Sequence, residues 1–226
     1  MAQILCLGLA LGLPLGCAKA LSNLGFTSLA KKALLGISMW ISGVSILALS
    51  GLFKDFSGLP PRPFFVLFPA MITVVYWSLR PKTGPLLQHI SPRSLIGIQG
   101  FRVPIEIFLW LLYLAGEIPI QMTFEGQNFD ILTGMFGLLL YGLWPRISQG
   151  LQRKLWLSFN LIGLGLLFNI VLTALLSMPT ALRFFMNEPA NRIVTTFPLI
   201  LLPTVLVPLA LLFHLLSLRQ FWRTKA

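Results

Sequence analysis

Residues 101–130 read FRVPIEIFLWLLYLAGEIPIQMTFEGQNFD. The first part, 103–119, is apolar apart from Glu106 and Glu117, and it nears the roughly 20 residues that a helix needs to cross a bilayer at about 1.5 Å per residue. The second part turns polar, with Thr123, Glu125, Gln127, Asn128 and Asp130 interleaved with Phe124 and Phe129. Four of the six acidic residues of the chain, Glu106, Glu117, Glu125 and Asp130, fall inside this stretch. Carboxylates among Leu, Ile and Phe are costly unless paired or hydrated, so their grouping marks the region as the candidate site.

The rest of the chain repeats the apolar pattern. Of its 226 residues, 56% are hydrophobic and 10% charged, against about a quarter charged in an ordinary soluble domain. Seven apolar runs stand out, at 2–18, 33–52, 64–79, 103–119, 131–144, 156–177 and 198–216, separated by Pro, Gly and charged residues. The expected fold is therefore all-α: a polytopic transmembrane helical bundle of about seven helices in a single domain, 1–226. The runs 64–79 and 131–144 are short and need flanking aromatics or local thinning of the bilayer. No internal repeat is visible, which weakens an inverted-repeat transporter.

A formal charge of +11 raises nucleic acid as a partner, but the basic residues alternate between loops. With the amino terminus outside, thirteen lie on the inner side, among them Lys31, Lys32, Arg80, Arg146, Arg219 and Arg223. Four lie outside, Lys54, Arg62, Arg183 and Arg192. This asymmetry predicts an N-out, C-in topology by the positive-inside rule, a lipid bilayer as the main partner, and no nucleic acid. The tail Arg219–Lys225 suits anionic lipid. Residues 1–18 resemble a signal peptide, with Leu15-Gly16-Cys17 near a lipoprotein cleavage pattern; positive charge follows the apolar run instead of preceding it, so a first span is expected. Cys6 and Cys17, eleven residues apart on one helix, are about 16 Å apart along its axis and cannot bridge.

Arg102 and Glu106, four apart at the inner start of the fourth run, are expected as an ion pair on one helix face, either a gate or a structural staple. Thr123, Glu125, Asn128 and Asp130 form an expected outer polar mouth, in which Asn128 or Asp130 also suits a helix cap. Asn187, Glu188 and Asn191 lie on the same outer face. His214 is the one histidine within an apolar run; haem would need an axial partner, and hydrogen-bonded packing is the simpler role. Asn160 and Asn169 suit interhelical hydrogen bonds. Pro203 and Pro208 in the last run each free a carbonyl about one turn back, which neighbouring helices, hydroxyls or water must satisfy.

Several chemistries lack their residues. There is no Lys in the last run for a retinal Schiff base, no Cys-x-x-Cys, no His-Glu-x-x-His and no Gly-x-Ser-x-Gly. No metal site or cofactor is implied, and no catalytic residue is identified.

The residues Gln99-x-x-Arg102-x-x-x-Glu106, the stretch Met122–Leu132, Asn187–Asn191 and the end Leu212–Gln220 together resemble a family of uncharacterised bacterial multi-pass integral membrane proteins. The resemblance implies a bacterial inner (cytoplasmic) membrane setting and brings no activity, cofactor or ligand. Three functions stay open: binding or passing a small molecule or ion through the outer mouth and the Arg102/Glu106 gate; a membrane enzyme using Glu125 or Asp130 as acid/base on a lipid-linked or small polar substrate; and a sensory or structural subunit with a protein partner of unknown identity.

Overall fold

The computed structural model describes residues 2–58 and 60–224. It is all-α, with no strand among the described residues. Helices α1 (Ala2–Asn23) and α2 (Thr27–Leu49) form a hairpin. Helix α3 (Phe64–Leu79) turns sharply into the short α4 (Gly84–His89). Helix α5 (Pro92–Gly97) passes through a 3-10 turn, Ile98–Phe101, into α6 (Arg102–Leu114). The loop 115–129 leads to α7 (Asp130–Leu143), which is followed by the long α8 (Gln149–Leu176). A π-helical turn, Leu202–Leu206, opens the last helix, α9 (Val207–Arg223).

Among the described residues, five helices are long and apolar enough to cross a membrane: Gln3–Asn23, Thr27–Leu49, Pro92–Leu114, Gln149–Leu176 and Leu202–Arg223. A sixth candidate, Phe64–Leu79 with Pro81–His89, is bent by 67°. The run expected at 131–144 forms only the 14 residues of α7, about 21 Å at 1.5 Å per residue and short of a ~30 Å hydrocarbon core.

The fourth helix differs most from its expected range of 103–119. It starts at Pro92, where Ser91 caps it by accepting from the Ser94 N–H at 3.1 Å and Pro92 takes the first turn, which needs no N–H donor. Pro104 cannot donate to the Gly100 carbonyl, and the chain tightens to 3-10 geometry just before it. It ends early because Gly116, at φ 72°, takes the left-handed position. The Glu117 N–H then bonds back to Leu112 at 2.9 Å and that of Gly116 to Tyr113 at 2.8 Å, closing a Schellman cap.

Side-chain contacts sort the loops onto two ends of the bundle. At one end Arg219 donates to the Arg80 carbonyl at 2.8 Å, Gln220 to that of Leu87 at 2.8 Å, and Arg93 to that of Tyr141 at 2.7 Å. At the other, Gln121 donates to Ser177 at 2.9 Å and Asn187 to Gln121 at 2.8 Å.

Glycines bring α7 against α5 and α6. A Cβ on Gly134 would stand 2.9 Å from the Val103 backbone nitrogen, and one on Gly137 would stand 2.8 Å from the Ile96 carbonyl oxygen. Only a bare backbone allows this approach, the device by which small residues let membrane helices pack closely. At the last helix, Pro208 has no N–H for the Thr204 carbonyl, and the freed oxygen accepts from the Trp40 indole of α2 at 3.0 Å.

Candidate functional site

The early start of the fourth helix moves Arg102 and Glu106 away from its end. Arg102 lies about 15 Å from Pro92 and about 18 Å from Leu114 along the axis, at 1.5 Å per residue. Both side chains are buried, each 2% exposed. The loop 115–129 does not stay at the far end of the bundle: after the Gly116 turn it folds back inward, burying Ile118, Met122 and Thr123. Gly126 permits the return, because a Cβ there would run into the Ile120 carbonyl. Helix α7 consequently begins beside Arg102.

Asp130 receives the Arg102 guanidinium in a buried ion pair, Nη1 to Oδ1 at 2.7 Å. Thr133 donates to the same carboxylate oxygen at 3.3 Å. Asn128, fully buried, donates from its amide to Glu106 Oε2 and to the Met122 carbonyl, and its Oδ1 accepts from the Asp130 N–H at 3.1 Å. One asparagine, just before the N-cap Phe129, thus turns the chain into α7 and fixes the Glu106 carboxyl.

Two expectations are corrected by this geometry. The expected Arg102–Glu106 ion pair is absent among the described residues: the shared helix face is real, but the guanidinium turns to Asp130, which the glycine-lined approach of α7 brings within reach. The outer polar mouth and the inner gate are also not separate sites. Asn128 and Asp130 meet Glu106 and Arg102 directly, because the loop folds back into the bundle and the helix extends further towards its start than its apolar run.

The remaining candidates divide. Glu125 is exposed and accepts from the Trp110 indole at 2.8 Å, away from Asp130. Thr123 is buried, its hydroxyl returned to the Ile120 carbonyl at 2.8 Å. Glu188 pairs with Arg183 at 2.9 Å on the surface, a bond that holds its carboxyl below the ordinary carboxylate range. The loop 115–129 and the segment 177–197 do meet, through Asn187 and Gln121 and not through charges. Asn191 is buried and donates to the Ala174 carbonyl at 3.0 Å.

His214, fully buried, bonds through Nδ1 to Asn160 Oδ1 at 2.9 Å. Asn160 also donates to Ser217 at 3.0 Å, and Ser217 accepts from the Trp156 indole at 2.8 Å. Asn160 thus bonds across to α9 as expected, whereas Asn169 donates to the Gln127 carbonyl at 2.7 Å and ties α8 to the loop 115–129 and not to a helix. Gly163 separates the two networks. Its carbonyl lies 3.5 Å from Arg102 Nη1, and a Cβ on it would stand 2.7 Å from His214 Nε2.

Beside the ion pair lies a cavity of about 80 Å³ between α6, α8 and the π-helical turn. Arg102, Glu106 and Asp130 form its polar end, and Leu109, Leu167, Ile170, Leu202, Leu206 and Ala210 contribute apolar wall. Arg102 Nε and Nη2 are buried and have no hydrogen-bond partner among the described residues. Sequence reasoning missed Gly163, Gln121 and the cavity walls. Gly134 and Gly137, three apart in an apolar run, were the available signal for close packing.

Every residue of this site lies in the carboxyl-terminal three quarters of the chain, beyond the α1–α2 hairpin. Comparison with curated proteins and with solved structures finds no match. The chain belongs to the family described as a domain of unknown function, DUF8737, which matches residues 60–222.

Proposed function

We propose that this is a multi-pass protein of the bacterial inner membrane, N-out and C-in, that binds a small molecule at mid-membrane depth in the cavity beside Arg102. What supports this is the buried Arg102 guanidinium on the lining of an otherwise apolar cavity, with two of its N–H groups lacking a partner among the described residues. A buried donor without a partner costs about 1–3 kcal/mol, more on a charged group, and a bound acceptor removes that cost. Membrane residence is supported by the long apolar helices and by large side chains left outward on them, such as Met39, Ile72 and Phe168. Orientation rests on the distribution of Lys and Arg. The bent α3–α4 pair and the short α7 complete seven crossings in this scheme, α7 being helped by the inward-folded loop before it.

Binding accounts for the site better than acid/base catalysis does. Asp130 is committed to the ion pair, and Glu125 lies outside the cavity lining. The test is mass spectrometry of small molecules retained by detergent-extracted protein, wild type against Arg102→Lys. The expected result is a compound held by the wild type and lost from a variant that still elutes as folded protein. Identical bulk-lipid profiles from both would refute the proposal.

A further inference from the structure

We infer that the ligand is an uncharged amphiphile, the end of an apolar chain bearing a carbonyl or hydroxyl oxygen, that enters sideways from the bilayer between α8 and the π-helical turn. This names the ligand class for the intramembrane binding proposed above and rests on it. Four observations support it. First, the polar end carries the Arg102 guanidinium, with two unpartnered N–H donors, beside the Glu106 and Asp130 carboxylates, so a neutral oxygen that accepts from the guanidinium, and as a hydroxyl can also donate, suits it. A cation would face the like charge of Arg102.

Second, the charge of Arg102 is already matched by Asp130 at 2.7 Å, with the Glu106 carboxyl close by. An anion would bring surplus negative charge into a site with no second cation among its lining residues. Third, a cavity of about 80 Å³ is well below the roughly 300–1,000 Å³ of a pocket that encloses a whole drug-sized molecule, which fits the end of a chain and not a whole lipid. Fourth, Val171, Leu175, Pro203 and Val207 line the cavity and are partly exposed on the flank of the bundle, leaving an apolar route to lipid.

The experiment uses the full chain in phosphatidylcholine nanodiscs and four photoreactive probes of one chain length: an alkyl alcohol, an alkane, an alkylsulfonate and an alkyltrimethylammonium, each with a diazirine near its head. Adducts are mapped by mass spectrometry. The alcohol is expected to label 167–175 and 202–210 about tenfold more than the alkane, the ratio of one hydrogen bond to a charged donor. Ala210→Leu, which fills the cavity without touching the ion pair, is expected to abolish that excess. Preferential labelling by the sulfonate or the ammonium at these peptides overturns the ligand class and leaves the binding site standing. Equal, unspecific labelling by all four, unchanged by Ala210→Leu, overturns the binding site as well and leaves water as the occupant of the cavity.

Discussion

The pairing of Arg102 with Asp130 can be tested as a double-mutant cycle with Arg102→Met, Asp130→Ala and the combined variant. Both side chains are almost fully enclosed, 2% and 6% exposed, and the contact is 2.7 Å. Removing one partner of such a pair strands the other charge, at about 3–5 kcal/mol. Asp130→Ala is expected in the upper part of that range, because two further guanidinium N–H groups already lack partners. Arg102→Met is expected lower, since Thr133 continues to donate to Asp130. Removing both together leaves no stranded charge, and such replacements are commonly neutral or even stabilising. The double variant should therefore lie nearer the wild type than either single one. The assay is reversible unfolding in mixed micelles followed by circular dichroism. For a chain of this size about 1 kcal/mol corresponds to roughly 2–4 °C, so Asp130→Ala should melt at least ~8 °C early. If the double variant loses the sum of the two single losses, the charges do not interact and the geometry of the site is wrong.

Two smaller effects follow from local geometry. Gly134→Ala should destabilise by about 1–3 kcal/mol as an overpacking change, because its methyl would stand 2.9 Å from a backbone nitrogen that cannot step aside. Gly142→Ala, with open space around it, should be neutral or stabilising in the same thermal assay. The Glu188 carboxyl is held below its ordinary 4.5 by Arg183 and by the Ala190 N–H. A lowered folded value means that its contribution is complete above pH 4.5 and is lost as pH falls through the folded value. Hydrogen-exchange protection factors across 183–190, corrected for the intrinsic pH dependence of exchange, should fall only below pH 4.5 in the wild type, and Glu188→Gln should lower them at neutral pH; a flat profile in the wild type would refute the role of the pair.

The helical class was legible from composition and from apolar runs near the length of a helical span. Helix ends were harder. Ser91-Pro92-Arg93 looks like loop punctuation, yet Ser before Pro is also a helix-start signature, and reading it that way would have put Arg102 in mid-helix. Ala115-Gly116 carried the matching stop signal. Asp130 could not be matched to Arg102 from spacing, because the pairing depends on a loop that turns back into the bundle. The nearest local clue, opposite charges at i and i+4, pointed to Glu106 instead. Asn128, expected as a cap, sits one residue before the N-cap Phe129 and accepts from the Asp130 N–H instead. Its second bond, to Glu106, depends on tertiary placement that no local pattern records.

The indole of Trp40 resting on the Thr204 carbonyl has a wider consequence. Pro208 weakens the very turn that forms one wall of the cavity, and the missing bond is supplied from α2, a helix outside the region matched to the family. A wall shaped by a proline break would ordinarily be free to flex. Here it is splinted from behind by a separate hairpin, so the stiffness of the cavity is set by residues that never touch its interior, and variation in the first fifty residues can retune it while every lining side chain stays the same.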